Sequence, residues 1–354
     1  MSGRVAIIGA GPAGLGAAWE LQRQGHEDFT IFEQRGEAGG LASSELHQGH
    51  WFDFGGHVLY VRNAPFKAML DELFAPDELL EHPQRRRVAV CGTTVPYPIQ
   101  RHIEELPEPW ATLALHDKER LPAEPRRDNF LVYLLDTFGP ALCQLFFLPY
   151  NRRLWRVPLQ SMSCDWLSDL VPKEGGAFDC PRLYPAEGGI GEVWRRLAGC
   201  FDGKVRYGHR IDALDKLHGY AAVVSSAPLI ARGLMVAPLS VSYVVGTWSS
   251  GDSDRLYVVG SMHYVAGGCP TDREAYTLEW NGGMPEGLPG RHQSFAYPVP
   301  TLDRDEIVTP AIAALRRERI WSIGRFGNWR YETGHMDQCF LQGVQAAQEV
   351  LDSD

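Results

Sequence analysis

The residues Gly9-Ala10-Gly11-Pro12-Ala13-Gly14 constrain this chain more than any others. They follow the apolar run VAII at 5–8 and lead into AGLGAAWELQRQ at 13–24. Residues 4–8 read as a buried parallel strand and 13–24 as a helix stopped by Gly25. Between them, Gly9 permits the tight turn and Gly11 lets backbone approach a pyrophosphate. Gly14 lets the helix pack closely on the strand. The helix N-terminus then offers free N–H groups and the positive end of its dipole to phosphate. FTIFE at 29–33 reads as the next strand, and Glu33 ends it 19 residues after Gly14. That carboxylate can accept from ribose hydroxyls. The pattern predicts a Rossmann-like βαβ cradle for a dinucleotide, lined by Gly9, Gly11, Pro12, Ala13, Gly14, Glu33 and Gln34.

FAD and NAD(P) share such cradles. The continuation favours FAD. Glu33 is followed, after five residues, by Gly39-Gly40-Leu41, an arrangement similar to the E-x5-GG extension of FAD proteins of the amine-oxidase and glutathione-reductase type. A second glycine pair suits backbone passing close to a ribityl or phosphate group. Phe52-Asp53-Phe54-Gly55-Gly56-His57 is a further glycine turn where backbone meets a flat ligand.

A length of 354 residues suggests two or three subdomains. With a net charge of −10 the chain is a poor candidate for nucleic acid, whose phosphates need a basic face. Arg85, Arg86 and Arg87 form one basic run, read either as a solvated edge or as a contact for an anionic substrate. Seven cysteines, an odd number with none at CxxC spacing, suggest no zinc site and no disulfide framework, and a reducing compartment. No metal is expected. The first apolar run passes straight into the glycine turn, so it does not read as a signal peptide. No run of about 18 apolar residues is evident, so no membrane span is expected. A cytoplasmic location follows from these readings. A homo-oligomer is left open.

Further along, residues 64–76 read as helix, 88–97 as a hairpin turning near Gly92, and 128–149 as an apolar helix ending at Pro149. Residues 189–201 read as helix, 205–226 as strand, turn and strand, and 239–298 as antiparallel sheet. Residues 319–323 read as strand and 336–351 as a closing helix. The βαβ pieces lie at the start, middle and end. The fold class expected is therefore α/β: a discontinuous Rossmann-like FAD-binding domain with two insertions. Its pieces are 1–84, 175–234 and 300–354. Residues 85–174 form a mainly helical insertion and 235–299 an antiparallel-sheet substrate domain.

Five segments together resemble UDP-galactopyranose mutase, particularly the eukaryotic branch, within the FAD-dependent amine-oxidase-like superfamily. They are FDFGGHV at 52–58, VPYPIQ at 95–100, PYNRRLWRVPLQSMSCDWL at 149–167, YPAEGGIGEVW at 184–194 and GRFGNWRYETGHMDQCFLQGVQAA at 324–347. The resemblance implies a flavoenzyme that interconverts pyranose and furanose forms of a nucleotide sugar. It does so through a bond to N5 of reduced flavin and without net redox change, with NAD(P)H as the reductant. It assigns Tyr97 and Gln100 to the uridine side, with Asn151 also on substrate, and Tyr297 to the pyrophosphate pocket. Arg325 falls near pyrophosphate and flavin, Tyr331 beside it, and His57 on the turn at the flavin, with Gly40, Leu41, Gly55 and Gly56. Met336 and Asp337 open the closing helix, whose N-terminus should face the flavin pyrimidine edge.

The chain departs from that pattern in places. Leu148 stands where an arginine is expected before Pro-Tyr-Asn. His335 replaces an asparagine or aspartate, and near pH 7 a histidine can exchange a proton. Val61 and Arg62 lie where a second histidine is common. No second diphosphate-binding arginine is evident in 250–290. The catalytic candidates are Arg325, Tyr331, His57 and His335. Trp155, Trp166 and Trp194 read as packing residues. Two other functions fit the scaffold: an FAD-dependent oxidase or dehydrogenase acting on a sugar or amine, and a flavin-binding scaffold without catalysis.

Overall fold

The structure, a computed structural model, describes residues 3–81, 86–167, 180–213, 217–229, 238–247, 255–258, 264–266, 275–281 and 290–353. The chain divides into two compact units. One comprises Met1–His82, Asp179–Ala237 and Asp303–Asp354, the other Pro83–Phe178 and Pro238–Leu302.

The first unit is built on a five-stranded sheet in the order Val205–Arg206, Phe29–Phe32, Val5–Ile8, Ala222–Ser225, Ile320–Ser322. Every neighbouring pair is parallel. A parallel sheet covered on both faces needs continuous apolar strands, which is why VAII carries no alternation and is buried throughout. The first helix, Pro12–Arg23, starts on Gly11 with a proline in its first turn. The closing helix, Met336–Asp352, lies against it with backbone touching backbone. A Cβ on Gly343 would sit 2.0 Å from Ala13 O, and one on Gly16 would sit 2.4 Å from Phe340 O. Trp19 and Phe340 close the contact at 5.4 Å between ring centroids. A helix not anticipated from the sequence, Arg304–Arg317, also belongs to this unit. Its internal Pro310 disguises it, since proline usually ends a helix.

The second unit carries a seven-stranded sheet in the order Gly290–Pro298, Pro238–Thr247, Ala275–Asn281, Tyr264–Ala266, Arg255–Val258, Arg86–Val90, Thr93–Pro96. The sheet expected from 239–298 is thus extended by the hairpin expected at 88–97. It is not wholly antiparallel, because Arg86–Val90 runs parallel to Arg255–Val258. Cys91 and Gly92 turn the hairpin, both at positive φ as a two-residue type I′ turn requires.

The apolar helix expected at 128–149 is segmented and runs further. Phe130–Leu142 is broken at Gly139, whose φ of 78° and ψ of 162° are not helical. The helix restarts because Asp117 Oδ2 accepts from Ala141 N at 2.7 Å. A π-helical turn, Cys143–Phe147, comes next, then Leu148–Trp155. Pro149 does not end the helix. It sits in the first turn of this last segment, where its missing N–H costs little. The reading of no long apolar run also needs correction. Phe130–Trp155 spans 26 residues and contains an 18-residue window of mean hydropathy 1.6, of which 56% is buried in the protein. By length and composition alone this run could cross a membrane. Trp155, Trp166 and Trp194 are buried, as packing residues should be. The rings of Trp155 and Trp166 meet at 5.2 Å. Among the described residues the cysteines form no disulfide.

Candidate functional site

The glycine cradle separates into positions demanded by the fold and one that is not. A Cβ on Gly9 would lie 2.2 Å from Ser226 Oγ, and one on Gly14 1.9 Å from Gly9 O. Both glycines are needed for the protein to pack on itself. Gly11 is different. Its Cβ would meet nothing nearer than Gly39 O at 3.8 Å and Gly40 Cα at 4.0 Å. The space beside Gly11 is therefore kept clear by sequence rather than filled by protein. Gly39 and Gly40, at φ of 108° and 59°, form the facing wall, tied down by Gly39 N donating to Ala10 O. A slot walled by two glycine turns at a helix N-terminus fits a pyrophosphate. Glu33 is buried, and its carboxylate accepts from Ala10 N and Arg35 N, each at 2.8 Å. Each carboxylate oxygen keeps further acceptor capacity for a ribose hydroxyl. Gln34 is exposed at the end of the strand, and Leu41 half-buried beside Gly40. Arg35 Nη1 donates to Gly40 O at 2.9 Å, holding the second turn.

The FDFGGHV segment is anchored by Asp53. Its buried carboxylate accepts from the Ser44 hydroxyl at 2.5 Å, the Tyr184 hydroxyl at 2.6 Å and Ile190 N at 3.1 Å. Ser44 Oγ in turn accepts from Gly191 N at 2.8 Å. Two distant stretches, 44–53 and 184–191, thus meet, and the helix Gly191–Gly199 is capped by side chains outside it. Burial pushes the Asp53 carboxyl up from its ordinary 3.8 to about 6, against the lowering effect of its hydrogen bonds. The protonated form is favoured in the folded state. The corresponding stability is fully present below the ordinary value and is lost as pH rises to about 6. Asp53→Asn is expected to remove this dependence. Between about pH 4 and pH 6 the stability gap between variant and wild type should change by on the order of 3 kcal/mol, read from urea unfolding. Parallel pH profiles for the two proteins would contradict the assignment. His57, half-buried, lies on the turn opened by Gly55 at φ 109°, where His57 N donates to Gly55 O.

The C-terminal candidates gather at the start of the closing helix. Gly324 lies against the cradle, because its Cβ would be 3.0 Å from Ala13 Cβ. Arg325 is next to it, half-buried, with Nε and Nη2 donating to Gly334 O at 3.1 and 2.8 Å. The half-buried Tyr331 opens a turn closed by Gly334 N donating to Tyr331 O. His335 is the residue before the helix and makes no side-chain cap bond, unlike the asparagine or aspartate it replaces in the resemblance. Its ring instead meets Tyr60 edge-on at 5.3 Å. Asp337 is buried and turned to Arg62, which grips it with two bonds of 2.8 and 2.6 Å. Asn63 Nδ2 donates to Asp337 O at 3.1 Å. Arg62, in the sequence only a departure from the family pattern, is thus the partner of a candidate residue. Met336 begins the helix, half-buried.

The remaining candidates belong to the second unit. The Tyr97 ring meets Phe146 at 6.5 Å, and Phe146 stacks on Tyr150 at 5.3 Å. Tyr150 is not a candidate by sequence, although its spacing of four from Phe146 puts both on one helix face. Gln100 lies in the short helical turn Ile99–Arg101, and Tyr297, half-buried, on Gly290–Pro298. Asn151 is buried, and its Nδ2 donates to Phe147 O at 2.8 Å, one turn back. That bond uses one of the two N–H donors of its amide. Leu148 is half-buried, and Arg152, one turn on, is exposed. Of the basic run, Arg85 and the side chain of Arg86 lie outside the described residues.

Residues 7–73 match the NAD(P)-binding Rossmann-like domain family. The sequence is 55% identical over 49 residues to tryptophan 2-monooxygenase of Pantoea agglomerans pv. gypsophilae, covering 14% of this chain and 9% of that protein. It is 40% identical over 62 residues to a Baeyer-Villiger monooxygenase of Streptomyces coelicolor, covering 18% and 12%. The chain thus spans about a tenth of the length of these relatives. Among solved structures, that of reduced UDP-galactopyranose mutase superposes with a TM-score of 0.86 at 24% identity, over 100% of this chain and 96% of the other. The fold is that of the FAD-dependent oxidoreductases. FAD is the dinucleotide the glycine slot fits. Putrescine oxidase bound to putrescine shares the fold at a TM-score of 0.61 and 14% identity, over 99% of both chains. So does a fatty acid isomerase from P. acnes, at 0.63 and 14%, over 98% of both. The chain shares this fold with the mutase and the oxidase.

Proposed function

We propose that this flavoenzyme isomerises a nucleotide-linked or related sugar between pyranose and furanose forms, without net redox change, in the cytoplasm. The observation that carries this is the likeness over the whole chain to a reduced UDP-galactopyranose mutase, at a TM-score of 0.86. Bound and reduced, FAD supplies the nucleophilic chemistry at the anomeric carbon. The chain's own residues bind and orient. Arg325, held by Gly334 O and next to the Gly324 that touches Ala13, is the cation suited to balance a leaving phosphate. Tyr331 stands beside it as a substrate contact. His57 and His335 are the groups able to hold or move a proton. Tyr97, backed by Phe146 and Tyr150, offers an aromatic face for a planar base, with Gln100 as hydrogen-bonding partner.

Leu148 sets the substrate choice. An apolar side chain cannot donate to phosphate, and each lost partner of a buried phosphate oxygen costs on the order of 1–3 kcal/mol. UDP-galactopyranose is therefore expected to bind weakly, the natural substrate having a modified sugar or a different leaving group. Leu148→Arg should tighten UDP binding roughly tenfold in a calorimetric titration. No gain would mean that another cation, with Arg152 the nearest along the helix, already serves the phosphate.

The reading is tested by assaying UDP-galactopyranose and UDP-galactofuranose with protein reduced by dithionite. Slow interconversion that stops when the flavin is reoxidised supports it. A second reading, oxidation of an amine or sugar, draws on the fold shared with putrescine oxidase. It is favoured if putrescine or a free sugar, and not a nucleotide sugar, changes the flavin spectrum.

A further inference from the structure

Next to Tyr331 lies a closed ring of four charges. Arg304 Nε donates to Asp305 Oδ1 at 2.9 Å and Arg304 Nη1 to Glu332 Oε2 at 3.2 Å. Arg330 Nη2 donates to the same Asp305 oxygen at 3.1 Å, and Arg330 Nη1 to Glu332 Oε1 at 3.1 Å. Two segments are thereby bound together: the start of the helix Arg304–Arg317 and the loop that carries Tyr331.

The ring is poorly explained as a device for stability. The Arg304 side chain is only 2% exposed. Burying a guanidinium costs several kcal/mol before any pairing, and buried ion pairs often do no better than apolar residues in their place. Arg304 is also the first residue of its helix, where the dipole disfavours a cation and an acid would serve better. What such a ring does supply is a fixed geometry. Its members Arg330 and Glu332 are the two neighbours of Tyr331, so the backbone of that tyrosine is held from both sides. The same loop is held elsewhere by Arg325 on Gly334 O and by Gln342 Nε2 on Thr333 O at 3.0 Å. Arg304 lowers the Asp305 carboxyl, which stays ionised within the ring.

We propose that Arg304 is a positioning residue for the active site, acting through Glu332 to fix Tyr331 and the Arg325-bound turn against substrate and flavin. This rests on the reading that Tyr331 and Arg325 belong to the flavin site. It adds a buried residue that touches neither ligand.

The test compares Arg304→Met, Arg304→Lys and Glu332→Gln in the FAD-loaded protein, with three measurements. The first is melting temperature and FAD content. The second is fluorescence and visible circular dichroism of the bound flavin, which a nearby tyrosine quenches and orders. The third is kcat and KM for UDP-galactopyranose after dithionite reduction. Arg304→Met and Glu332→Gln are expected to lower kcat at least about tenfold, with KM changed less than about threefold. Both should alter the flavin spectra at unchanged FAD content, with Arg304→Lys near wild type. Glu332→Gln leaves Arg304 paired to Asp305, so it answers the question if Arg304→Met fails to fold. Wild-type spectra and kcat in a folded Glu332→Gln protein would overturn the proposal. If the substrate instead bleaches the oxidised wild-type flavin, the proposed function fails, and the flavin spectra of the variants still decide the role of the ring.

Discussion

Gly11→Val is expected to give a folded protein that holds no flavin. The distances around the cradle make this sharper than a general statement about glycine motifs. A side chain at Gly9 or Gly14 collides with the protein itself, at 2.2 Å and 1.9 Å. Loss of FAD from those variants would say nothing about where FAD lies. At Gly11 the nearest protein atom to a new Cβ is 3.8 Å away, and the backbone is not in the left-handed region, at φ −86°. A side chain there starts from ordinary contact with the protein and enters the slot that the pyrophosphate would take. Far-ultraviolet circular dichroism should match wild type while FAD affinity falls at least about a hundredfold, some 3 kcal/mol of lost pyrophosphate contact. A yellow Gly11→Val protein with ordinary FAD content would place the pyrophosphate elsewhere.

Arg325→Ala is expected to cost catalysis far more than stability. The guanidinium makes two hydrogen bonds to one carbonyl, Gly334 O, and is half-buried. Losing them should cost about 1–3 kcal/mol of stability. Removing a cation that stabilises a leaving phosphate costs about a hundred- to a thousandfold in rate, by analogy with other charge-stabilising donors. The measurements are kcat/KM with reduced protein and the melting temperature. A fall in melting temperature as large as a core deletion, with activity per folded molecule unchanged, would make Arg325 a loop anchor and nothing more.

The parts of this fold that were legible in the sequence are those set by neighbours close along the chain. VAII, the three glycines, Glu33 and the Gly39-Gly40 pair lie within one short stretch, and each has a local reason. Chemistry assembled from distant segments was not legible. The cap of Gly191–Gly199 by Ser44 and Asp53, the grip of Arg62 on Asp337 and the pairing of Arg86–Val90 with Arg255–Val258 all need the tertiary fold before any pattern exists. Proline is not a sure stop signal in this chain. Pro149 marks a stop only if the residues before it have used its position for a hydrogen bond. After the π-helical turn it opens a segment instead, and Pro310 lies inside a helix. Tyr331 and Arg325 were recognisable as candidates, whereas the ring that holds their loop was not. Arg304 lies in a separate segment of the chain, and its burial cannot be read from its charge.

The central claim, a flavoenzyme whose reaction is redox-neutral, is tested most directly by the visible flavin band during turnover without oxygen. Oxidised protein mixed anaerobically with UDP-galactopyranose should keep its band and convert nothing. After a single reduction with dithionite, the same sample should isomerise the sugar through many turnovers with the band still bleached. Bleaching of the oxidised flavin by the substrate alone, with one oxidised product per flavin reduced, would contradict the account.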